Sequence, residues 1–247
     1  MSWFVTLFRS IATAIVGVIS TLIAAPTVMV IAAVNDTSPW IERVIRSWSR
    51  VWLSVSGTEL TVVGSENIEA GKSYVVVANH LSTLDIMVCF LAVPLPIRYL
   101  AKKELFRIPI LAQGMRAVGI VEVDRSARSA IHAQVNSQSK ELIEKGRSLI
   151  IYPEGTRPRN GALDPFKKGA FTMAIASQLP ILPVTIHGTH EAWKPDTLWV
   201  HGGKVTAIID PPIDTVGMTQ QDSGQLTGTA YGVIAGRVGE MGGRISV

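Results

Sequence analysis

Between Arg9 and Asp36 the chain carries no charged side chain: Ser10 to Asn35 is an unbroken run of 26 residues rich in Ile, Val and Ala. No other feature limits the fold as strongly. Roughly 20 consecutive apolar residues suffice to cross the hydrocarbon of a bilayer. The arm is therefore a membrane-segment candidate, in a chain whose charged fraction is only 17%, against roughly 25% in ordinary soluble domains. Pro26 lacks a backbone donor and should bend or end the helix, which leaves a full crossing and a dip with return at Pro26 both open. A cleaved secretory leader fits poorly. The first eight residues hold no basic side chain, and Ala24-Ala25-Pro26 would set a proline just after the cut.

The next segment differs in kind. Ser38-Pro39 reads as a helix start, with proline in the first turn. Apolar residues then recur at helical spacing at Trp40, Ile41, Val44, Ile45, Trp48, Val51, Trp52 and Val55, while Glu42, Arg43, Arg46 and Arg50 occupy other faces. A tryptophan stripe opposite arginines suits a helix lying among lipid headgroups; the same stripe also suits a helix packed on the rest of the protein, and different turns can do each. Arg43, Arg46 and Arg50 against Arg9 alone place everything after residue 36 on the cytoplasmic side by the positive-inside rule. Residues 1–57 are accordingly read as membrane-anchoring helices and 58–247 as a separate globular domain.

From Glu59 onward the pattern is α/β. Strands are expected at Leu60–Val63, Tyr74–Ala78, Ile97–Ala101, Gly119–Val123, Leu149–Tyr152, Ile181–Ile186 and Val205–Ile209, and helices near Leu84–Ala92, Pro109–Ala117, Ser129–Lys145, Gly169–Ser177 and Gln225–Val238. Continuous Val/Ile runs separated by helices imply a largely parallel or mixed central sheet covered by helices on both faces. The Gly/Ser/Thr/Gln-rich stretch after Ile213 reads as a loop leading to a surface helix. A net charge of +4 without a basic stripe suits anionic lipid or a phosphorylated substrate, and no nucleic acid is expected. Cys89 is the single cysteine, so there is neither a disulfide nor a cysteine metal cluster within the chain. Gly71-Lys72-Ser73 lacks the first glycine of a P-loop, Glu66 standing in its place. His187, His190 and Glu191 lack zincin spacing, and no metal site is expected.

The strand Tyr74–Ala78 runs into Asn79-His80-Leu81-Ser82-Thr83-Leu84-Asp85. A histidine at the end of a buried strand lies where α/β sheets place their ligands. If Ser82 caps the next helix, Asp85 falls in its first turn and can fold back to the imidazole as the orienting acid of a general base. The Ser82–Asp85 spacing equally satisfies a capping box with a purely structural role. No nucleophile stands beside the pair, since Cys89 falls within an apolar helix. The base would then activate a hydroxyl of the substrate.

The segment 79–85 resembles the HxxxxD motif of the glycerolipid acyltransferases, in particular the PlsC-like lysophosphatidic acid acyltransferases. Three further blocks follow in that family's order. Gly119-Ile-Val-Glu-Val-Asp-Arg125 is similar to the second, Tyr152-Pro-Glu-Gly-Thr-Arg157 to the third (usually FPEGTR), and Leu182-Pro-Val-Thr-Ile186 to the fourth. Ala101–Leu105 and Phe166–Phe171 also read as this family, and the likeness runs from about residue 60 to 212. Tyr152 departs from the commoner phenylalanine, and Pro158 from a frequent serine.

The resemblance implies a 1-acylglycerol-3-phosphate O-acyltransferase. It would move an acyl chain from acyl-CoA or acyl carrier protein to the 2-hydroxyl of lysophosphatidic acid, giving phosphatidic acid, with no cofactor beyond that co-substrate. His80 and Asp85 would be the catalytic base and its orienting acid. Arg125 and Arg157 would grip the phosphate as bidentate forks, Glu154, Gly155 and Thr156 would shape the loop, and Lys103 would contact phosphate or donor. Lys167 adds positive potential, while Arg159 and Lys168 read as solvated charges. Anionic membrane lipids are implied partners, and the inner (plasma) membrane, cytoplasmic face, is the implied location. Acyl transfer to another phosphate-bearing or lysolipid acceptor, thioester hydrolysis, and a non-catalytic lipid-binding or scaffolding role are the competing readings.

Overall fold

A computed structural model describes residues 3–123, 141 and 143–246. All seven expected strands are present, their ends moved by at most two residues: β1 (Thr58–Val63), β2 (Val75–Ala78), β3 (Ile97–Lys102), β4 (Val121–Val123), β5 (Ser148–Ile151), β7 (Ile181–His187) and β8 (Gly203–Ile209). They form one sheet in the order β1-β8-β7-β2-β5-β3-β4. Every adjacent pair is parallel except β7–β8. The central strand β2 is buried on both sides, which is why it reads as an uninterrupted apolar run. Val75 and Val77 face one helical layer, α5 (Gly169–Ser177) and α7 (Ser223–Glu240); Val76 and Ala78 face the other, which includes α3 (Leu84–Ala92). Because β2, β5 and β7 run parallel, the segments that leave them all emerge at one edge of the sheet.

Two short strands and the four-residue helix α6 (Thr189–Ala192) lay below the reach of periodicity. A two-residue ribbon pairs β6 (Ala162–Leu163) with β9 (Arg244–Ile245). The expected surface helix α7 is anchored more deeply than its composition suggests, through Leu226, Ala230, Ile234 and Val238 at four-residue spacing. The helix expected at Ser129–Lys145 falls mostly outside the described residues, as does Arg125.

The N-terminal arm departs from expectation in two ways. The first helix, α1 (Trp3–Val34), continues through Pro26 without ending. Proline withholds only the bond that its own N–H would give, and the turns on either side keep theirs. The helix is also inside out by the standards of a soluble protein. Thr6, Thr13 and Gly17 are buried, while Phe4, Phe8, Ile11, Ile15, Val18 and Leu22 are exposed along the opposite face.

The second departure concerns the tryptophans of α2 (Pro39–Val55), a helix capped by Ser38 with Pro39 in its first turn. Trp48 and Trp52 do not line a lipid face. Trp48 Nε1 donates to Thr21 Oγ1 on α1 at 2.9 Å. Trp52 packs against Gly17, where a side chain would collide with its ring, and stacks on Trp193 at 6.3 Å between centroids. Ile41, Ile45, Ser49 and Leu53 turn inward, so α2 is wedged between α1 and the sheet layer, and only Trp40 and Val51 of its large apolar residues remain exposed. Its turn from α1 is tied down by charge. Lys145 pairs with Asp36 at 2.7 Å, Arg98 pairs with Glu42 at 2.6 Å, and Arg147 donates to the Asp36 carbonyl. Burial, followed by the nearby Arg98, holds the Arg147 guanidinium below its ordinary value.

Candidate active site

The chain leaves β2 under tight control. Asn79 is buried, and its side chain donates to the Ile186 carbonyl at 2.8 Å and accepts the Ile186 N–H at 2.7 Å, clamping the strand end to β7. The next residue, His80, is therefore delivered at the sheet edge with its side chain 17% exposed.

Asp85, fully buried in the first turn of α3, folds back onto the approaching loop. Its Oδ2 accepts the Leu81 N–H at 2.6 Å and the Ser82 N–H at 2.7 Å, and lies 2.9 Å from His80 Nδ1. The carboxylate half of the expected capping box and the pairing with histidine are thus both present, and a single oxygen serves them, while the Ser82 side chain does not reach the Asp85 N–H. The helix begins at Leu84, one residue later than a Ser82 cap implies. Ser82 Oγ accepts the Leu84 N–H at 3.3 Å and donates to the Trp193 carbonyl at 2.7 Å. With Nδ1 held by the carboxylate, the imidazole keeps its proton there and leaves Nε2 as the basic atom.

The loop after β5 supplies the opposite wall. The Tyr152 ring stacks on the His80 imidazole at 3.9 Å, within 8° of parallel. Its hydroxyl points away into a buried cluster with Tyr99 and Cys89. Burial raises all three of these groups, the Cys89 thiol to about 12. A thiol buried and raised in this way is poorly suited to act as a nucleophile.

Glu154 binds the two loops together. Its carboxyl takes the His80 N–H at 2.6 Å and the Asp164 N–H at 2.9 Å. Burial outweighs these two hydrogen bonds and pushes it up to about 8. Gly155 adopts a left-handed φ of +79°, and a Cβ there would lie 2.6 Å from Lys167 Nζ. Arg157 Nη1 donates to Thr83 Oγ1, which fixes the guanidinium against the histidine loop.

Of the residues expected in the site, the structure brings His80, Asp85, Glu154, Gly155 and Arg157 together. Thr156 is exposed beside them, and Lys103 follows β3, two strands from β2. Arg125 lies outside the described residues. Sequence reasoning passed over three participants: Tyr152 as the ring under the histidine, Thr83 as the seat of Arg157, and the Trp193 carbonyl. Arg159 pairs with Asp196 at 3.0 Å on the surface, as a solvated charge would.

His187 and His190 line a cavity of about 320 Å³ behind the Asn79–Leu81 backbone, with Lys194 and Arg244. Among the described residues, no group of three or more His, Cys, Asp or Glu side chains is placed to hold a metal ion.

These features can be set against known proteins. Residues 59–187 match the family model described as Acyltransferase. The chain is 32% identical over 184 residues to the 1-acyl-sn-glycerol-3-phosphate acyltransferase of Borreliella burgdorferi, covering 74% of this chain and 73% of that one. It is 34% identical over 166 residues to the protein of the same name from Cocos nucifera, which takes in 67% of this chain. The chain spans about half the length of that plant relative, 53%. The crystal structure of the LPA acyltransferase PlsC from Thermotoga maritima shares the fold, with a TM-score of 0.84 over 100% of both chains at 24% identity.

Proposed function

The chain belongs to the acyltransferase family, and from that membership we propose that it transfers an acyl group from an acyl thioester to the 2-hydroxyl of 1-acylglycerol 3-phosphate. The product is phosphatidic acid. The observation that carries this reading is the His80–Asp85 pair at 2.9 Å, standing at the strand edge beside Arg157.

In this reading His80 Nε2 takes the acceptor's hydroxyl proton as its oxygen attacks the thioester carbonyl. Asp85 balances the imidazolium that forms. Collapse of the tetrahedral intermediate breaks the C–S bond, and the imidazolium returns its proton to the departing thiolate. Arg157 and Lys167 supply the positive charge that an acceptor phosphate needs at the loop after β5. Arg125 and Lys103 join them on the strength of the resemblance. The co-substrate is acyl-CoA or acyl-ACP.

The inside-out α1 supports a membrane location for a lipid substrate. Its length and composition suffice to cross a bilayer. Yet it stays against the protein from Arg9, beside Gly57 and Gly202, past Gly17 on Trp52, to Ala25 on Gly114. We infer that it lies embedded with its apolar face in one leaflet, at the cytoplasmic face of the inner membrane.

The test supplies protein in mixed micelles with an acyl thioester, with and without acceptor, and follows thiol release together with phosphatidic acid. Transferase activity requires release that depends on acceptor, matches the lipid formed and disappears in His80→Ala. Arg157→Ala should chiefly raise the acceptor KM. Release without acceptor would make the protein a thioesterase, and activity with a different acceptor alone would redirect the substrate assignment.

A further inference from the structure

The segment between α6 (Thr189–Ala192) and β8 contains two adjacent exposed apolar side chains. Leu198 is 84% exposed and Trp199 43% exposed, immediately before the buried Val200. The segment around them is well braced. Trp193 Nε1 donates to the Thr197 carbonyl at 2.9 Å, Thr197 Oγ1 to the Lys194 carbonyl at 3.1 Å, and the His201 N–H to the Ala192 carbonyl at 2.8 Å. A lone exposed leucine is ordinary, but two adjacent apolar side chains held out by a braced loop count as part of a patch when a second apolar surface adjoins them.

Its position indicates what that reason is. The Val200 N–H donates to Ser10 Oγ of α1 at 2.9 Å, and Arg9 donates to the His201 carbonyl. Leu198 and Trp199 therefore sit alongside the first turns of α1, where Phe4, Phe8 and Ile11 are exposed. The two apolar surfaces come from opposite ends of the sequence and are joined at this seam. Tryptophan, with an apolar body and one N–H donor, suits the boundary between hydrocarbon and headgroups, and the exposed Lys194 at the base of the loop adds a cation for lipid phosphate.

We propose that the 194–200 loop is a second membrane-inserting element, with Leu198 and Trp199 entering the same leaflet as the apolar face of α1. The proposal rests on the membrane reading of α1. The loop also touches the candidate site: the Trp193 ring stacks on Trp52, and its carbonyl receives the Ser82 hydroxyl. Seating this loop in the bilayer would therefore hold the histidine loop at the surface from which a lipid acceptor arrives.

The full chain permits a direct test, because its only native cysteine, Cys89, is buried. Leu198→Cys, Phe8→Cys and Glu69→Cys are each labelled with an environment-sensitive fluorophore and mixed with vesicles of phosphatidylglycerol and phosphatidylcholine. Glu69 is an exposed residue before β2, at the opposite edge of the sheet. The expected result is a blue shift, and quenching by acyl-chain nitroxide lipids, at positions 198 and 8 and not at 69. A shift at 8 without one at 198 overturns the proposal and leaves the membrane reading of α1 intact, whereas no shift at either removes both. A shift at 198 that needs protein concentration rather than vesicles assigns the surface to a second copy and also overturns it. Leu198→Asp should weaken vesicle binding by roughly tenfold or more, the transfer value of one leucine. It should slow turnover of vesicle-embedded acceptor in step, and leave turnover of detergent-dispersed acceptor unchanged; equal vesicle binding by this variant would count against the loop.

Discussion

His80 and Asp85 meet because one carboxylate oxygen is shared between an imidazole and two backbone N–H groups. Asp85→Asn tests that sharing. The amide oxygen in the Oδ2 position can still accept both backbone donors and the Nδ1 proton, so the helix start should survive, while the negative charge that balances an imidazolium is lost. The expected outcome is a fall in kcat of about 10²–10⁴-fold with thermal unfolding nearly unchanged. Glu154 is the second residue whose chemistry is set by burial. Its oxygens both accept N–H groups, and glutamine offers only one acceptor. Glu154→Gln should therefore cost about 1–3 kcal/mol of stability and lower activity by loosening the His80 backbone. The carboxyl also carries a pH signature. Its value is raised from 4.5 to about 8, so between those values the folded chain holds a proton that the unfolded chain releases. Its contribution is complete below about 4.5 and is lost as pH rises through about 8. Denaturant melts from pH 4 to 9 should show that downward slope in the wild type and a flatter profile in Glu154→Gln.

At the scale of elements, α7 carries an untapped reserve. Gly228, Gly232 and Gly236 lie on its exposed face, with open space where a Cβ would go. Each Gly→Ala change there should stabilise by about 0.5–1 kcal/mol through backbone entropy. Calorimetry should show the midpoint rising by roughly 2–4 °C per kcal/mol, and an unchanged midpoint would mean that something else covers this face. Elements were also where the residues spoke most plainly. The buried strands announced themselves as Val/Ile runs, and α3 and α5 begin and end where their apolar stretches do. The β6–β9 ribbon could not be read this way, since two residues carry no period.

Across the whole molecule, the decisive contact is that of α1 with α4 (Leu111–Val118). Gly114 of α4 lets the two helices touch, and a Cβ there would stand 2.7 Å from Ala25 Cβ. Gly114→Val should pry α1 away, at about 1–3 kcal/mol of overpacking. We expect a lower melting point and faster proteolysis near the α1–α2 turn; both unchanged would show that α1 contributes nothing to the fold.

What the amino-acid order determined by itself was everything that depends on local pattern: the alternation of strands and helices, the uncharged arm, the Ser38 cap, and the histidine and aspartate at the end of a buried strand. Period and propensity act over a few residues, and those few residues suffice to show them. Tertiary structure decided which surface each pattern met. Whether a tryptophan stripe faces lipid or protein depends on a partner dozens of positions away, here Thr21 and Trp193. The placement of Tyr152 beneath His80 likewise follows from the pairing of β2 with β5. An apolar side chain gains from leaving water whatever covers it, so only the folded chain could say what that cover is.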